Sequence, residues 1–279
     1  MLSLHTNAAA LSAQNAISKT QSNLSTSMTR LSTGYRINSA MDDAAGLQIA
    51  SRLKAQSSGM SVAMRNTQNA TALMQTAEGA LDQVSNIVVR MKDLATQAAD
   101  TGSTAKDKLA MDAEFKELSK ELVNIMDNTS FGGAKLLNAT GGTLAAAMTF
   151  QIGADSAETM SVDMIAGLGL VQTSVTNSVT AGLTTAPLAS AQITAMNTAI
   201  DSVSALRSAL GASANRLEHV NSNLANISTN TKQATGLIMD VDFASESANM
   251  TSSQMLMQAS TAMLKQSNSM SSMVMSLLQ

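Results

Sequence analysis

The chain has 279 residues and a mass of 28.8 kDa, a length that suits about two domains. Apolar residues make up 44% of it but charged residues only 13%, about half the usual share. The net charge of −3, the absence of cysteine and the presence of only two histidines, His5 and His219, argue against nucleic-acid binding, thiol chemistry and a zinc site.

Aromatic side chains are scarce: Tyr35, Phe115, Phe131, Phe150 and Phe243, with no Trp, whereas Met numbers 21. A core of Leu, Ile, Val, Met and Ala favours helices meeting along narrow seams over an aromatic-filled sandwich or barrel. The expected class is mainly α, with long coiled-coil-like helices from both termini and a small β-hairpin region in the middle. No uncharged apolar run approaches the roughly 18 residues that membrane insertion needs. The start, Met1 to Asn7, lacks the basic and apolar segments of an ordinary secretory signal, so any export is expected to use another route.

Residues 3–33 read as one helix, with Leu4, Ala8 and Leu11 on one stripe, continued by Ile17, Leu24, Met28 and Leu31. Gly34 is a left-handed stop. After Tyr35-Arg36-Ile37-Asn38, Ser39 with Asp42 suggests a capping box, and Asp42 and Asp43 suit the first turn of the next helix. Gly59 is expected to interrupt that helix. From 61 to 99, Ala77, Val84, Met91 and Ala98 recur every seven residues, with Leu73, Ala80, Ile87 and Leu94 between them. Thr104 with Asp107 offers another capping box, and Met111, Phe115, Leu118, Leu122 and Ile125 step as a coiled-coil seam requires. Asn128 to Gly133 ends that helix.

The middle, about 134–184, is rich in Gly, Thr, Ala and Ser. Met148–Ile152 and Met160–Met164 alternate apolar and polar residues, which predicts a β-hairpin; residues 166–186 read as a short variable region. Pro187 fits the first turn of a further helix. There Met196, Val203, Leu210, Leu217 and Leu224 recur every seven residues, and Asn221 is a polar seam residue of the register-fixing kind. Gly236 should break the run. A last helix from about Phe243 places Leu256, Met263, Met270 and Leu277 in phase, with Val274 beside them.

From 251 to 279 the only charged residue is Lys265, and apolar side chains cover more than half of the helical circumference. One packing partner covers a stripe of roughly 100°. The N-terminal helix supplies one partner; a second must come from outside the fold, and in an isolated chain these ends are expected to lack order. Incomplete segments at both termini describe a subunit that finishes folding by polymerising through heterologous contacts. Other features read more plainly. A Met-rich stripe taken alone is core. Asp42 and Asp43 are helix-start acids before they are a catalytic pair. His219 lies two past Leu217 and is solvated, His5 has no acid nearby in sequence, and Arg90, Asp93 and Glu114 are off-seam charges. No catalytic, cofactor-binding or metal-ligating set emerges.

Leu31-Ser-Thr-Gly-Tyr-Arg-Ile-Asn-Ser-Ala-Met-Asp-Asp-Ala-Ala-Gly46 resembles the signature of bacterial flagellin. The resemblance continues through Gln75-Thr-Ala-Glu-Gly-Ala-Leu81, Arg90-Met-Lys-Asp-Leu-Ala95, Phe131-Gly-Gly-Ala-Lys-Leu-Leu137 and Phe150-Gln-Ile-Gly-Ala-Asp155. Leu210-Gly-Ala-Ser-Ala-Asn-Arg216, Asp240-Val-Asp-Phe-Ala244 and Val274-Met-Ser-Leu-Leu278 extend it to the C-terminus. It covers about 1–165 and 187–279. Tyr35, Met41, Leu237 and Val89 depart from the family's usual residues, and the variable middle is nearly absent, as in a minimal flagellin.

The resemblance implies a structural subunit of the flagellar filament, extracellular, without enzymatic activity or cofactor. It would be exported unfolded by the flagellar type III apparatus, with an export chaperone, a cap protein and hook-junction proteins as partners besides copies of itself. Residues 1–40 and 236–279 would form an inner tube, and 41–185 with the returning helix 187–235 an outer one. Leu4, Leu11, Ile17, Leu24, Leu31, Leu256, Met263, Met270, Val274 and Leu277 would carry inner-tube assembly. Arg36, Asn38, Asp42 and Asp43 would form the inter-domain loop. Arg90, Leu94, Gln97 and Glu114 resemble the epitope of a host innate receptor, and Leu277 and Leu278 a stretch sensed by a cytosolic one. A hook–filament junction protein shares the terminal helices but should lack the full Asp-Asp-Ala-Ala-Gly stretch. A coiled-coil signalling or adaptor protein should have charged, self-sufficient ends.

Overall fold

The computed structural model describes residues 7–138 and 141–277, without the side chains of residues 175, 177–181, 271, 272 and 274–277. Helix α1 spans Ala8–Thr33, α2 Ala44–Ala99 and α3 Ala105–Asn128. Strands β1 (Ser130–Phe131) and β2 (Ala134–Lys135) follow, then a 3-10 turn at Thr143–Ala145 and strands β3 (Met148–Gln151) and β4 (Thr159–Val162). Helices α4 (Ile165–Ala181), α5 (Ala186–Met239) and α6 (Phe243–Leu277) complete the chain. The mainly α class with a small antiparallel hairpin region is therefore what the chain adopts. Its compact units are residues 57–228 and residues 1–56 with 229–279.

The helix ends follow local chemistry. Asn7 caps α1, its side-chain oxygen accepting from the Ala10 amide at 3.1 Å, and Gly34 closes the helix at φ 76°. Thr104 and Asp107 form the expected reciprocal capping box on α3. The Ser39–Asp42 box does not form. Asp42 instead bridges the Asn38 and Ser39 amides within a turn, and Asp43 caps α2 by accepting from the Gly46 amide at 2.8 Å. The two adjacent acids thus do different work, and α2 starts one residue beyond them.

Neither Gly59 nor Gly236 breaks a helix. An internal glycine costs only about 1 kcal/mol, which long packed helices absorb. At Gly59 a Cβ would stand 2.9 Å from the Ala154 Cβ, so the missing side chain admits the hairpin loop. Two elements escaped the sequence reading. Gly132 and Gly133, at φ 57° and 87°, make a two-residue turn joining β1 to β2, with Phe131 facing Ala134. Helix α4 occupies the stretch read as variable: its glycines and β-branched residues argue against a helix, but Leu168 and Val171 bury completely, and packing overrides propensity.

In the 57–228 unit the heptad residues Ala77, Val84, Met91 and Ala98 of α2 are buried, as are Met196, Val203, Leu210 and Leu217 of α5. A further row on α2, Met74, Leu81, Val88 and Ala95, is buried as well, because the helix is covered on more than one side. Phe115 and Leu122 bring α3 into the same cluster. The β3–β4 ladder pairs Met148 with Val162 and Phe150 with Met160, adding Met160 and Val162 to it. Asn221 is half-buried and donates to the Met64 carbonyl at 3.2 Å and the Thr67 hydroxyl at 2.9 Å, a polar pin in an apolar seam.

Candidate functional site

In the unit built from both chain ends, α1 packs along α6. The residues of α1 turned inward are Ala10, Ala13, Ile17, Thr20, Leu24, Ser27 and Leu31; those of α6 are Glu246, Met250, Ser253, Met257, Ser260, Leu264 and Ser267. Both sets step by three and four, the spacing of a coiled-coil seam. Small or hydroxylated residues alternate there with Ile, Leu and Met, so the helices approach closely while sharing few large side chains. Asn7 ties one end, donating to the Ser267 hydroxyl at 3.2 Å.

The most apolar faces point elsewhere. Leu11 is 61% exposed, Leu256 56%, Met263 66% and Met270 54%. Of the residues expected to carry assembly, Ile17, Leu24 and Leu31 are thus half-buried in the α1–α6 seam, whereas Leu11, Leu256, Met263 and Met270 lie open. Leu4, His5 and Leu278 lie outside the described residues, as do the side chains of Val274 and Leu277. The chain ends, expected to lack order in isolation, are paired helices here, but the pairing covers only one face of each. Among the described residues of this unit, Ile37 and Ala50 are the only fully buried apolar side chains.

The loop signature belongs to the same unit. The Arg36 amide donates to the Met239 carbonyl at 2.6 Å, the Val241 amide to the Gly34 carbonyl at 3.0 Å, and Tyr35 bridges to Asp240. The Arg36 guanidinium donates to the Ile238 carbonyl at 2.8 Å, and the Asn38 side-chain amide to the Tyr35 carbonyl at 2.8 Å. Asp42 accepts from the Ser39 amide at 2.9 Å, the Asn38 amide at 3.1 Å and the Ser39 hydroxyl at 3.2 Å. These bonds, led by that from the Ser39 amide, hold its carboxyl below the usual carboxylate range. Arg30 lies between Glu246 at 3.7 Å and Asp42 at 3.9 Å. Ile37 buries beneath this network against Gly46, where a Cβ would come within 2.8 Å of it. Of the four signature residues, Arg36 fastens the connection after α1 to the end of α5, whereas Asn38 and Asp42 hold that connection's own turn and Asp43 caps α2. Met41 and Leu237 are almost wholly exposed.

On the 57–228 unit, Arg90 and Glu114 form a two-pronged exposed ion pair, with Nε and Nη2 at 3.0 and 2.7 Å from one carboxylate oxygen. Gln97 is exposed nearby in sequence, and its backbone carbonyl accepts from the Ser103 hydroxyl at 2.9 Å. Leu94 is 3% exposed and part of the core, so it offers no side chain to a binding protein. Among the described residues no group of three or more His, Cys, Asp or Glu side chains could hold a metal ion. No described helix is long and apolar enough to cross a membrane.

Residues 4–142 match the model of the bacterial flagellin N-terminal helical region, and residues 193–278 that of its C-terminal helical region. A flagellin of Halalkalibacterium halodurans is 40% identical over 253 residues, 90% of each chain. Flagellin A of Vibrio anguillarum is 32% identical over the whole length of both chains. The crystal structure of Bacillus cereus flagellin superposes with a TM-score of 0.51 at 33% identity, covering 57% of this chain and 88% of the other. A putative flagellar hook-associated protein from Vibrio parahaemolyticus superposes with a TM-score of 0.57 over 71% of this chain and 99% of its own, but at 16% identity, a likeness of fold alone.

Proposed function

Because the chain belongs to the bacterial flagellin family and is a structural subunit of the extracellular, self-polymerised flagellar filament, we propose that the unit of its two ends is the inner-tube element of that filament and that neighbouring copies cover its open apolar faces. One observation carries this: residues 1–56 and 229–279 fully bury only Ile37 and Ala50 among their described apolar side chains, while leaving Leu11, Leu256, Met263 and Met270 open. Burial of each Leu or Met contributes about 1.5–3 kcal/mol, so covering this face drives association. On the same reading the 57–228 unit forms the outer tube, and the bonded loop at Arg36, Asn38, Asp42 and Asp43 belongs to the unit of the chain ends. Nothing favours the hook-junction alternative, and the sparse charge of α6 speaks against a freely soluble adaptor.

Deletion of 251–279 tests the proposal. The shortened chain should stay soluble and largely helical by circular dichroism yet form no fibres by negative-stain microscopy. Met263→Asp should act alike, because burying an unpaired carboxylate costs on the order of several kcal/mol. Fibres from either variant would contradict the assignment.

We infer the finer partners from the resemblance, which supports them without residue-level contacts of their own. The subunit passes the type III flagellar export apparatus, meets a chaperone at α6, folds under a cap protein and abuts hook-junction proteins. A host innate receptor reads the exposed Arg90, Gln97 and Glu114. Reporter cells given purified monomer should respond, and Arg90→Ala should weaken the response; an equal response removes Arg90 from the epitope.

A further inference from the structure

Methionine sulfur is unevenly placed in this chain. In the 57–228 unit every methionine from Met60 to Met196 is buried or half-buried. On α6, Met255, Met263, Met270 and Met273 are 61%, 66%, 54% and 62% exposed. At about 100° per residue the four share one quarter of the helix, away from the inward row of Met250, Met257 and Leu264. Leucine would give the same apolar stripe without an oxidisable atom. Methionine instead displays four accessible thioethers on the face that the proposed function assigns to neighbouring copies, and the inference rests on that reading.

We propose that Met255, Met263, Met270 and Met273 are a modification site, oxidised by hydrogen peroxide in the free subunit, and that the oxidised subunit is barred from the filament. A lone pair on each thioether sulfur attacks one peroxide oxygen. An S–O bond forms as the O–O bond breaks, sulfur loses two electrons, and the other oxygen leaves as water with both protons. The sulfoxide is polar and a strong hydrogen-bond acceptor. Burying it without a donor is unfavourable, and from 251 to 279 the only charged donor is Lys265. A sulfoxide reductase reverses the change with two thiols, which become a disulfide while the oxygen departs as water. The face thus reports oxidative conditions before assembly and is shielded after it.

The test treats purified full-length subunit with hydrogen peroxide, maps oxygen gain by peptide mass spectrometry and follows polymerisation by sedimentation. Met255, Met263, Met270 and Met273 should gain oxygen before Met74, Met91 and Met126 do. The critical concentration should rise by about tenfold or more, and reductase with a dithiol should restore it. The variant M255L/M263L/M270L/M273L, which keeps Met28 and Met41, should polymerise equally before and after peroxide. Oxidised wild type that assembles like untreated protein overturns the proposal, as does a quadruple variant that peroxide still blocks. If that variant fails to assemble untreated, the reductase arm decides, and absence of recovery overturns the proposal. Preformed filaments separate this from the underlying reading. Sulfurs oxidised as fast in filaments as in free subunits would show the face uncovered and defeat the assembly assignment, whereas protected filaments with peroxide-tolerant subunits defeat only the oxidation site.

Discussion

Single carboxylates close several turns of this chain, and each sets a measurable pH or stability effect. The Thr104 hydroxyl, then its amide, lowers the pKa of Asp107; the Ser245 hydroxyl, then the Ala244 amide, does so for Asp242; the pKa of Asp42 is lowered by the Ser39 amide first. A depressed folded-state value means that the folded chain binds fewer protons than the unfolded one just below the ordinary value of 3.8. The stability these caps contribute is therefore present above that pH and is lost as pH falls through the lowered values. The monomer's thermal midpoint should drop on acidification below about pH 4, and Asp107→Asn should make that acid limb shallower; an unchanged limb would contradict the cap's role. Asp112 acts differently, as a buried anchor on α3. Its Oδ1 accepts from the Leu183 amide at 2.6 Å and its Oδ2 from the Lys116 ammonium at 2.7 Å, beside Gly182 at φ 63°. Asp112→Ala leaves the Leu183 amide buried without a partner and should cost about 1–3 kcal/mol in denaturant unfolding; a loss near zero would show that water replaces the carboxylate.

At the scale of elements, α6 carries two faces that mutations should separate. Ser27, 6% exposed on α1, sits in the seam with α6, where only small side chains alternate with Leu and Met. Ser27→Leu should overpack that seam, at a cost of about 1–3 kcal/mol, and loosen the terminal helices of the monomer itself. Leu256→Ser on the open face should leave the monomer within about 0.5 kcal/mol of wild type and impair polymerisation. Circular dichroism melts with sedimentation would distinguish the two, and equal effects on monomer and polymer would erase the distinction. The sequence displayed the stripe of Leu256, Met263 and Met270 but not its partner. Apolar periodicity marks faces that avoid water without saying which face pairs within the chain, and here the internal seam is the less apolar one. The same limit explains the extra buried row at Met74, Leu81, Val88 and Ala95, since a heptad count reveals a two-sided contact and α2 is covered more broadly. Helix α4 stayed hidden because Gly167, Gly169 and its threonines and valines lack helical preference; Leu168 and Val171 hold it by burial. The β1–β2 turn was missed although Gly132-Gly133 is a hairpin signal, because the strands it joins are two residues each and show no alternating pattern. The loop signature marked Asp42 and Asp43 but could not tell which acid caps α2, a choice made by a single residue of register.

On the scale of the whole chain, burial is divided unequally, and that division predicts how the molecule comes apart. Residues 57–228 hold a contiguous cluster in which Phe115, Leu122, Met126, Leu136, Leu210 and Leu217 are at most 1% exposed. Residues 1–56 with 229–279 have only Ile37 and Ala50 to match it among the described residues, and otherwise rest on a seam of small side chains, the bonded loops around Arg36 and the Arg30 ion pairs. Each ordered residue costs roughly 1–2 kcal/mol of backbone entropy, which a large buried cluster offsets and a half-covered helix pair offsets poorly. The fragment 57–228 should therefore fold alone as a monomer with cooperative unfolding. In the full-length monomer, hydrogen exchange should run fast across α1 and α6 and slow across the Ala77–Ala98 and Met196–Leu217 stretches. Polymerisation should slow exchange in α1 and α6 far more than in the core, because the missing cover arrives only with neighbouring subunits. Equal protection of both units in the dilute monomer would mean that the terminal helices are complete without copies, and would remove the thermodynamic reason for this chain to assemble.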